Sequence, residues 1–276
     1  MTKVAGIDEV AIVGAGWMGS GISTICALGG YPVNLVDVSQ EILDRCVGKI
    51  RANLDLLVEA DEVTAADADA ALGRIQPTTS MADGLGRSQL AIEAVPEKLE
   101  IKQEVFVKME AAARPGTILG TNSSGLPTTD IAALCNRPEQ IVGIHVFEPP
   151  FVLRAVEVIR GQRTSDDTFE KAVAFVESVG SVPIRVLKDR RSFVINFLQQ
   201  AMRKAALDLV EAGVTTEEDI IKAARHSFGV KYVAMGPYSA RGGVDRANQY
   251  EPEALEEMGR RALEMLPVIR AARTLD

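Results

Sequence analysis

Apolar residues fall in two alternating rhythms over the first two-thirds of the chain. Short runs at residues 10–13, 33–37, 90–94, 117–121, 141–145, 156–159 and 184–187 read as strands. Most are continuous apolar stretches of four or five residues, the pattern of parallel strands covered on both faces. Between them, residues 40–58, 98–112 and 166–179 read as helices. This alternation predicts right-handed crossovers and a doubly wound sheet.

After residue 187 the alternation stops. Residues 192–212, 216–228 and 253–273 read as amphipathic helices. In the last, Leu255, Met258, Ala262, Met265, Leu266 and Ile269 recur close to i, i+3, i+4 spacing. Residues 236–250, with several glycines and Pro237, read as a loop or very short helices. The charged break at 188–191 divides a sheet domain, 1–188, from an all-helical remainder, 189–276. There is no internal repeat and no low-complexity tract.

The first strand runs into Gly14-Ala15-Gly16-Trp17-Met18-Gly19, which opens a helical pattern reaching Leu28. A lone GxGxxG is weak evidence, but here a strand precedes it, a helix follows, and Asp37 ends the second strand a little over 20 residues on. Gly14 permits the tight turn, Gly16 admits a pyrophosphate, and Gly19 lets the helix pack on the strand. The loop residues Trp17 and Met18 belong to the same cofactor-binding set. Asp37 is placed to accept ribose hydroxyls. Val38 and Ser39 offer no arginine for a 2′-phosphate, which favours NAD over NADP. The expected fold is therefore α/β: a Rossmann-like, mostly parallel sheet domain followed by a helical C-terminal domain. The plainer alternative is a glycine turn that only joins strand to helix, with Asp37 capping the next helix.

Composition narrows the partners. Among 276 residues, 30 lysines and arginines stand against 38 acids, a net charge of −8. Nucleic acid and anionic membrane surfaces are therefore disfavoured, and an anionic ligand must be held locally, as by a helix N-terminus. Cys26, Cys46 and Cys135, odd in number and far apart, do not suit a disulfide framework. Two histidines cannot make a multi-histidine metal site, so no metal is expected. No signal core opens the sequence and no uncharged run approaches the roughly 20 residues of a membrane span. The expectation is a cytoplasmic protein acting on a small molecule.

A dehydrogenase of alcohols needs a base for the hydroxyl proton. His145 closes an apparent strand at the carboxyl edge, where open α/β sheets bind ligands, whereas His226 lies in a helical pattern. Twelve residues after His145, Glu157 interrupts the apolar run Val156-Glu157-Val158-Ile159. A carboxylate there needs a partner, because unpaired charge in a core is costly. Pairing with the imidazole would fix its tautomer and raise its basicity. Spacing alone fits a catalytic dyad and a structural contact equally.

At this point the residues resemble the 3-hydroxyacyl-CoA dehydrogenases, over almost the whole chain. The nucleotide loop is similar, as are Ala91-Ile92-Glu93-Ala94-Val95-Pro96-Glu97 with Lys102-Gln103, and Leu119-Gly120-Thr121-Asn122-Ser123-Ser124. So are His145-Val146-Phe147-Glu148-Pro149-Pro150 through Val156-Glu157-Val158, and Phe193-Val194-Ile195-Asn196. The resemblance implies that His145 is the acid/base and Glu157 its orienting partner. It implies further that Ser124 and Asn196 hydrogen-bond the substrate oxygen and the face of the site, and that Asn122 and Glu93 line the cofactor side. It also implies a homodimer, with residues 253–273 part of it. Each role has a plainer counterpart. Ser123 and Ser124 could cap a helix near 128–134, Glu93 could pair with Lys98 or Lys102 at the surface, and Asn196 could bridge two helices.

The sequence also departs from that pattern. Glu148 stands where the family usually has asparagine, Arg191-Ser192 replaces Pro-Gly, and Phe197 replaces a common arginine. Residues 52–73 hold Asp55, Glu59, Asp61, Glu62, Asp67 and Asp69 with no lysine or arginine, where the family usually carries lysines near the CoA phosphates. The expected activity is NAD-dependent interconversion of a 3-hydroxyacyl group, on CoA or a carrier, and its 3-oxo form. One alternative is a dehydrogenase of a free polar 3-hydroxy acid, as in the carnitine and gulonate dehydrogenases of the same superfamily. It needs a cation at the site, for which Arg154, Arg190, Arg191 and Arg241 are candidates. The other is a dinucleotide-binding protein with little catalysis.

Overall fold

The computed structural model describes residues 3–235. Apolar runs buried on both faces make the centre of one eight-stranded sheet. In chain order the strands are β1 (Val10–Val13), β2 (Val33–Val36), β3 (Ile75–Thr78), β4 (Leu90–Glu93), β5 (Ile118–Thr121), β6 (Ile141–Val146), β7 (Ala155–Ile159) and β8 (Val182–Val186). Their spatial order is β3-β2-β1-β4-β5-β6-β7-β8. Strands β1 to β6 are mutually parallel, so the sheet is the mostly parallel, Rossmann-like one expected. The chain reverses its direction of travel between β1 and β4, which opens a crevice at their carboxyl ends.

The run at 156–159 does not join the parallel set: β7 lies antiparallel to β6, with His145 directly opposite Glu157. Residues 147–154 between them form no helix, and a parallel return needs a crossover of about a dozen residues or more. Strand β8 then pairs parallel to β7.

The helices are α1 (Trp17–Leu28), α2 (Gln40–Glu59), α3 (Ala65–Leu72), α4 (Met81–Leu85), α5 (Leu99–Ala112), α6 (Thr128–Ile131), α7 (Asp166–Ser178), α8 (Ile195–Glu211), α9 (Glu217–Ala223) and α10 (Gly229–Met235). Side chains alternate between the two sheet faces. Val10 and Ile12 enter a cluster with Ile22, Leu43, Phe169 and Phe175, which come from α1, α2 and α7. Ala11 and Val13 face the other way, toward Phe106 and Met109 of α5. Phe169 is fully buried. Phe169→Ala is expected to cost about 3–5 kcal/mol in unfolding free energy, measured by urea denaturation, because the cavity it leaves closes only in part.

Four described elements were not read from the sequence: β3, α3, α4 and α10. Strand β3 carries Pro77 and pairs only with β2. A proline inside a short, half-exposed run hides an edge strand, where the missing amide costs nothing. Helix α3 falls in the acidic stretch 52–73. It is capped by Thr64, whose side chain accepts the Asp67 amide, and Arg51 holds Asp69 at 2.8 Å. Part of that stretch's charge is thus answered by an arginine just outside it.

The chain divides into two compact units, with the division after Phe197. In the second, Gly213 ends α8 in a left-handed conformation (φ 68°), and Thr216 caps α9 by accepting the Asp219 amide. Residues 224–228, expected as the end of a helix, form a π-helical turn between α9 and α10. The expected loop at 236–250, the helix at 253–273 and Arg241 lie outside the described residues. Among the described residues no helix is long and apolar enough to cross a membrane.

Candidate active site

The glycine turn after β1 is dictated by backbone clearance. Gly14 has φ 107°, and a Cβ there would stand 2.7 Å from the Ala94 carbonyl oxygen, so the loops leaving β1 and β4 touch. A Cβ on Gly19 would lie 1.9 Å from the Gly14 carbonyl oxygen. Above Gly16, by contrast, a Cβ would meet nothing within 4 Å. The first turn of α1 contains no acid, and no side chain caps it. This end of the helix therefore presents its dipole and amides to an open cradle, a fit for the pyrophosphate of a dinucleotide. Asp37 is tied to the same turn: one carboxylate oxygen accepts the Ala15 amide and the other the Val38 amide, each at 2.7 Å. Trp17 stands half-exposed beside it with the Lys49 ammonium 5.9 Å from its ring centroid.

The antiparallel register of β6 and β7 delivers the buried pair. His145 Nδ1 lies 2.8 Å from Glu157 Oε2, and both residues are buried. The other oxygen, Oε1, accepts the amides of Val194 (2.9 Å) and Ile195 (2.8 Å) at the start of α8. Burial pushes the Glu157 carboxyl up, but the bond to His145 and the two amides outweigh it and hold the group below the ordinary carboxylate range. An ionised carboxylate only accepts, so Nδ1 carries a proton, and in the neutral ring the lone pair is on Nε2. Phe147 and Phe193 pack on the imidazole at centroid distances of 4.3 and 5.7 Å. Phe193 and Ser192 both have positive φ, 43° and 62°, where glycine would rest more easily.

A second buried network supports the wall opposite. Glu93, which the plainer reading left at the surface, is fully buried, and so is its partner Lys102. The Lys102 ammonium donates to Glu93 Oε1 (2.7 Å) and the Val95 carbonyl oxygen (3.2 Å), and pairs with Glu97 Oε2 at 3.3 Å. Glu93 also accepts the Thr121 hydroxyl and the Val95 amide. Burial raises the Glu93 carboxyl above its ordinary value, although Lys102 opposes the shift. Glu97 Oε1 gathers the Ser123 hydroxyl (2.6 Å) and the amides of Ser124 and Gly125 (both 3.1 Å), folding the segment after β5 around itself. Neither serine caps the helix near 128–134: Ser123 accepts the Leu126 amide, while Ser124 is exposed.

Between these walls lies a cavity of about 330 Å³. Five predicted residues meet on it: Met18, Asn122, Ser124, His145 and Asn196. Asn122 Oδ1 accepts the Val146 amide at 2.8 Å, and Asn196 Nδ2 donates to the Ser124 carbonyl oxygen at 3.0 Å. Asn196 therefore spans from the start of α8 to the serine loop rather than between two helices. Glu157 stands behind His145, and Glu93 behind the wall that Val95 and Lys102 form. Gly14, Gly16, Trp17, Gly19 and Asp37 lie along the dinucleotide turn.

Glu97 and Lys102 also line the cavity and were given no role from the sequence. Their signal was a lysine and two acids flanking the start of one helix, which reads equally as solvated surface. The cysteines take no part: all three are free and buried, and burial pushes the Cys26 and Cys46 thiols up to about 12 and Cys135 up to about 11.

Residues 9–190 match the family described as 3-hydroxyacyl-CoA dehydrogenase, NAD binding domain. The chain is 32% identical over 231 residues to 5-formyl-3-hydroxy-2-methylpyridine 4-carboxylate 5-dehydrogenase of Mesorhizobium japonicum, covering 84% of this chain and 74% of that protein. It is 34% identical over 218 residues to 3-hydroxybutyryl-CoA dehydrogenase of Mycobacterium tuberculosis, covering 79% and 76%. The crystal structure of (S)-3-hydroxybutyryl-CoA dehydrogenase from Ralstonia eutropha superposes with a TM-score of 0.76 at 30% identity, over 96% of this chain and 88% of that one. The matched span carries the glycine turn, the serine loop and the His145–Glu157 pair, and the chain belongs to the 3-hydroxyacyl-CoA dehydrogenase family.

Proposed function

We propose that this chain is an NAD-dependent oxidoreductase that interconverts a 3-hydroxyacyl thioester and its 3-oxo form. The observation that carries the reading is the buried His145–Glu157 pair, whose imidazole, held through Nδ1, lines the cavity beside the dinucleotide turn. In oxidation Nε2 takes the proton of the 3-hydroxyl, and in reduction it returns a proton to the 3-oxo oxygen. NAD supplies the hydride acceptor and NADH the donor. Glu157 keeps the ring in one tautomer and stabilises the imidazolium as it forms. The Ser124 hydroxyl and the Asn196 amide hold the substrate oxygen, and Asn122 shapes the cofactor side. On the same reading the enzyme is a homodimer and works in the cytoplasm.

The direct test follows NADH absorbance with acetoacetyl-CoA as substrate. Consumption of NADH supports the reading, and its absence across 3-oxoacyl thioesters of several lengths overturns it. Asp37→Ala is expected to weaken NADH binding about 10- to 100-fold, the loss of charge-assisted hydrogen bonds to a ribose, with a smaller effect on NADPH. Calorimetric titration of both cofactors measures it, and equal losses would show that Asp37 does not read the ribose.

A further inference from the structure

The two relatives above are named for compounds of different charge, one for a pyridine carboxylate and the other for a 3-hydroxybutyryl thioester, whose acyl chain is uncharged. The walls of this cavity bear on the choice. Two carboxylates, Glu97 and Glu148, line it, and the lysine or arginine found there is Lys102. Its ammonium has three donors, and three oxygens already surround it, on Glu93, Glu97 and Val95. It has nothing left for a substrate carboxylate.

The described arginines considered as substrate partners do not line the cavity. Arg154 donates twice to the Gly180 carbonyl oxygen, and the Arg190 guanidinium sits 3.8 Å from the centroid of the Phe197 ring. Glu97 is spent on the serine loop. Glu148 is different. It is exposed, three residues beyond His145 on the same wall, and among the described residues its carboxylate has no hydrogen-bond or ion-pair partner. Among the described residues, the site thus faces its substrate with one uncompensated negative charge and no available positive one.

We infer that Glu148 is a specificity-determining residue that sorts substrates by charge, admitting acyl groups with an uncharged or cationic tail and rejecting those that bear a carboxylate. This rests on the functional reading above and narrows it to one substrate class. Like charges within several ångströms in a partly desolvated cleft are expected to cost about tenfold or more in kcat/KM.

The test compares two thioesters matched in length, 3-oxohexanoyl-CoA and 3-oxoadipyl-CoA, which differ only in a terminal methyl against a terminal carboxylate. The readout is the ratio of their kcat/KM values for NADH-linked reduction, so that a change in absolute rate does not enter. The wild type is expected to favour the uncharged thioester by tenfold or more. Glu148→Gln is expected to narrow the ratio about tenfold, and Glu148→Lys to narrow it further or invert it. A ratio near one in the wild type, or a ratio unmoved by both variants, overturns the inference while leaving the dehydrogenase reading standing. Failure of the wild type to reduce either thioester overturns that reading, and this inference with it.

Discussion

Replacing His145 by glutamine is expected to lower NADH-linked turnover about 10²- to 10⁴-fold while the cofactor still binds. Glutamine keeps most of the buried volume between Phe147 and Phe193, and its amide can still donate toward Glu157. It cannot carry a proton between a substrate oxygen and solvent. His145→Ala is expected to lose turnover to the same degree and to lose stability as well, because it empties a buried site and leaves Glu157 Oε2 without its donor. Comparing the two separates chemistry from packing. Calorimetric NADH titration should give dissociation constants within about threefold of wild type for the glutamine variant. Undiminished turnover in that variant would remove His145 from the mechanism.

The second large effect belongs to the glycine turn. A methyl group on Gly19 would sit 1.9 Å from a backbone carbonyl oxygen, a distance no real contact reaches. The obstacle is backbone on both sides, so no rotamer change relieves it, and the strand–turn–helix junction must open. Gly19→Ala is therefore expected to weaken NADH binding by about a hundredfold or more, because the amides at the start of α1 no longer converge on the pyrophosphate site. A fall in melting temperature should accompany it. Gly16→Ala is the control: nothing lies within 4 Å of the added methyl, so protein stability should hold while the methyl occupies space meant for the ligand. Normal NADH affinity in Gly19→Ala would mean that this turn does not hold the cofactor.

The central sheet and its nucleotide turn were legible because they obey local rules. Strands β1, β2, β4, β5 and β6 are buried, predominantly apolar runs, and the GxGxxG stands between a strand and a helix. Edge strand β3 escaped because Pro77 and its half-exposed positions imitate a loop, and α3 because its sequence reads only as an acidic stretch. The candidate site shows the same divide. His145 and Glu157 could be singled out from a polar residue in an apolar run, but the antiparallel turn that sets them face to face leaves no periodic mark. Glu93 was read as lining the cofactor side with a surface pair as the plainer alternative, and its network with Lys102 and Glu97 was not foreseen, because charge patterns on one short segment look alike whether solvent or a buried wall receives them. Only the end of β5 and the loop after it, which supply the Thr121 and Ser123 hydroxyls, decide between them.

One carboxylate in this protein has two employers. Glu157 gives one oxygen to the imidazole and the other to the amides that begin α8. Its ionisation strengthens the folded state at pH values above the ordinary unfolded carboxylate value of about 4.3, and that support is withdrawn as the pH falls through the lower folded value. Acidification therefore dissolves the orientation of the base and the anchorage of a helix in a single titration. For the same reason position 157 is pleiotropic. A substitution there has no purely chemical phenotype, and any rate lost by altering it is a sum of two debts.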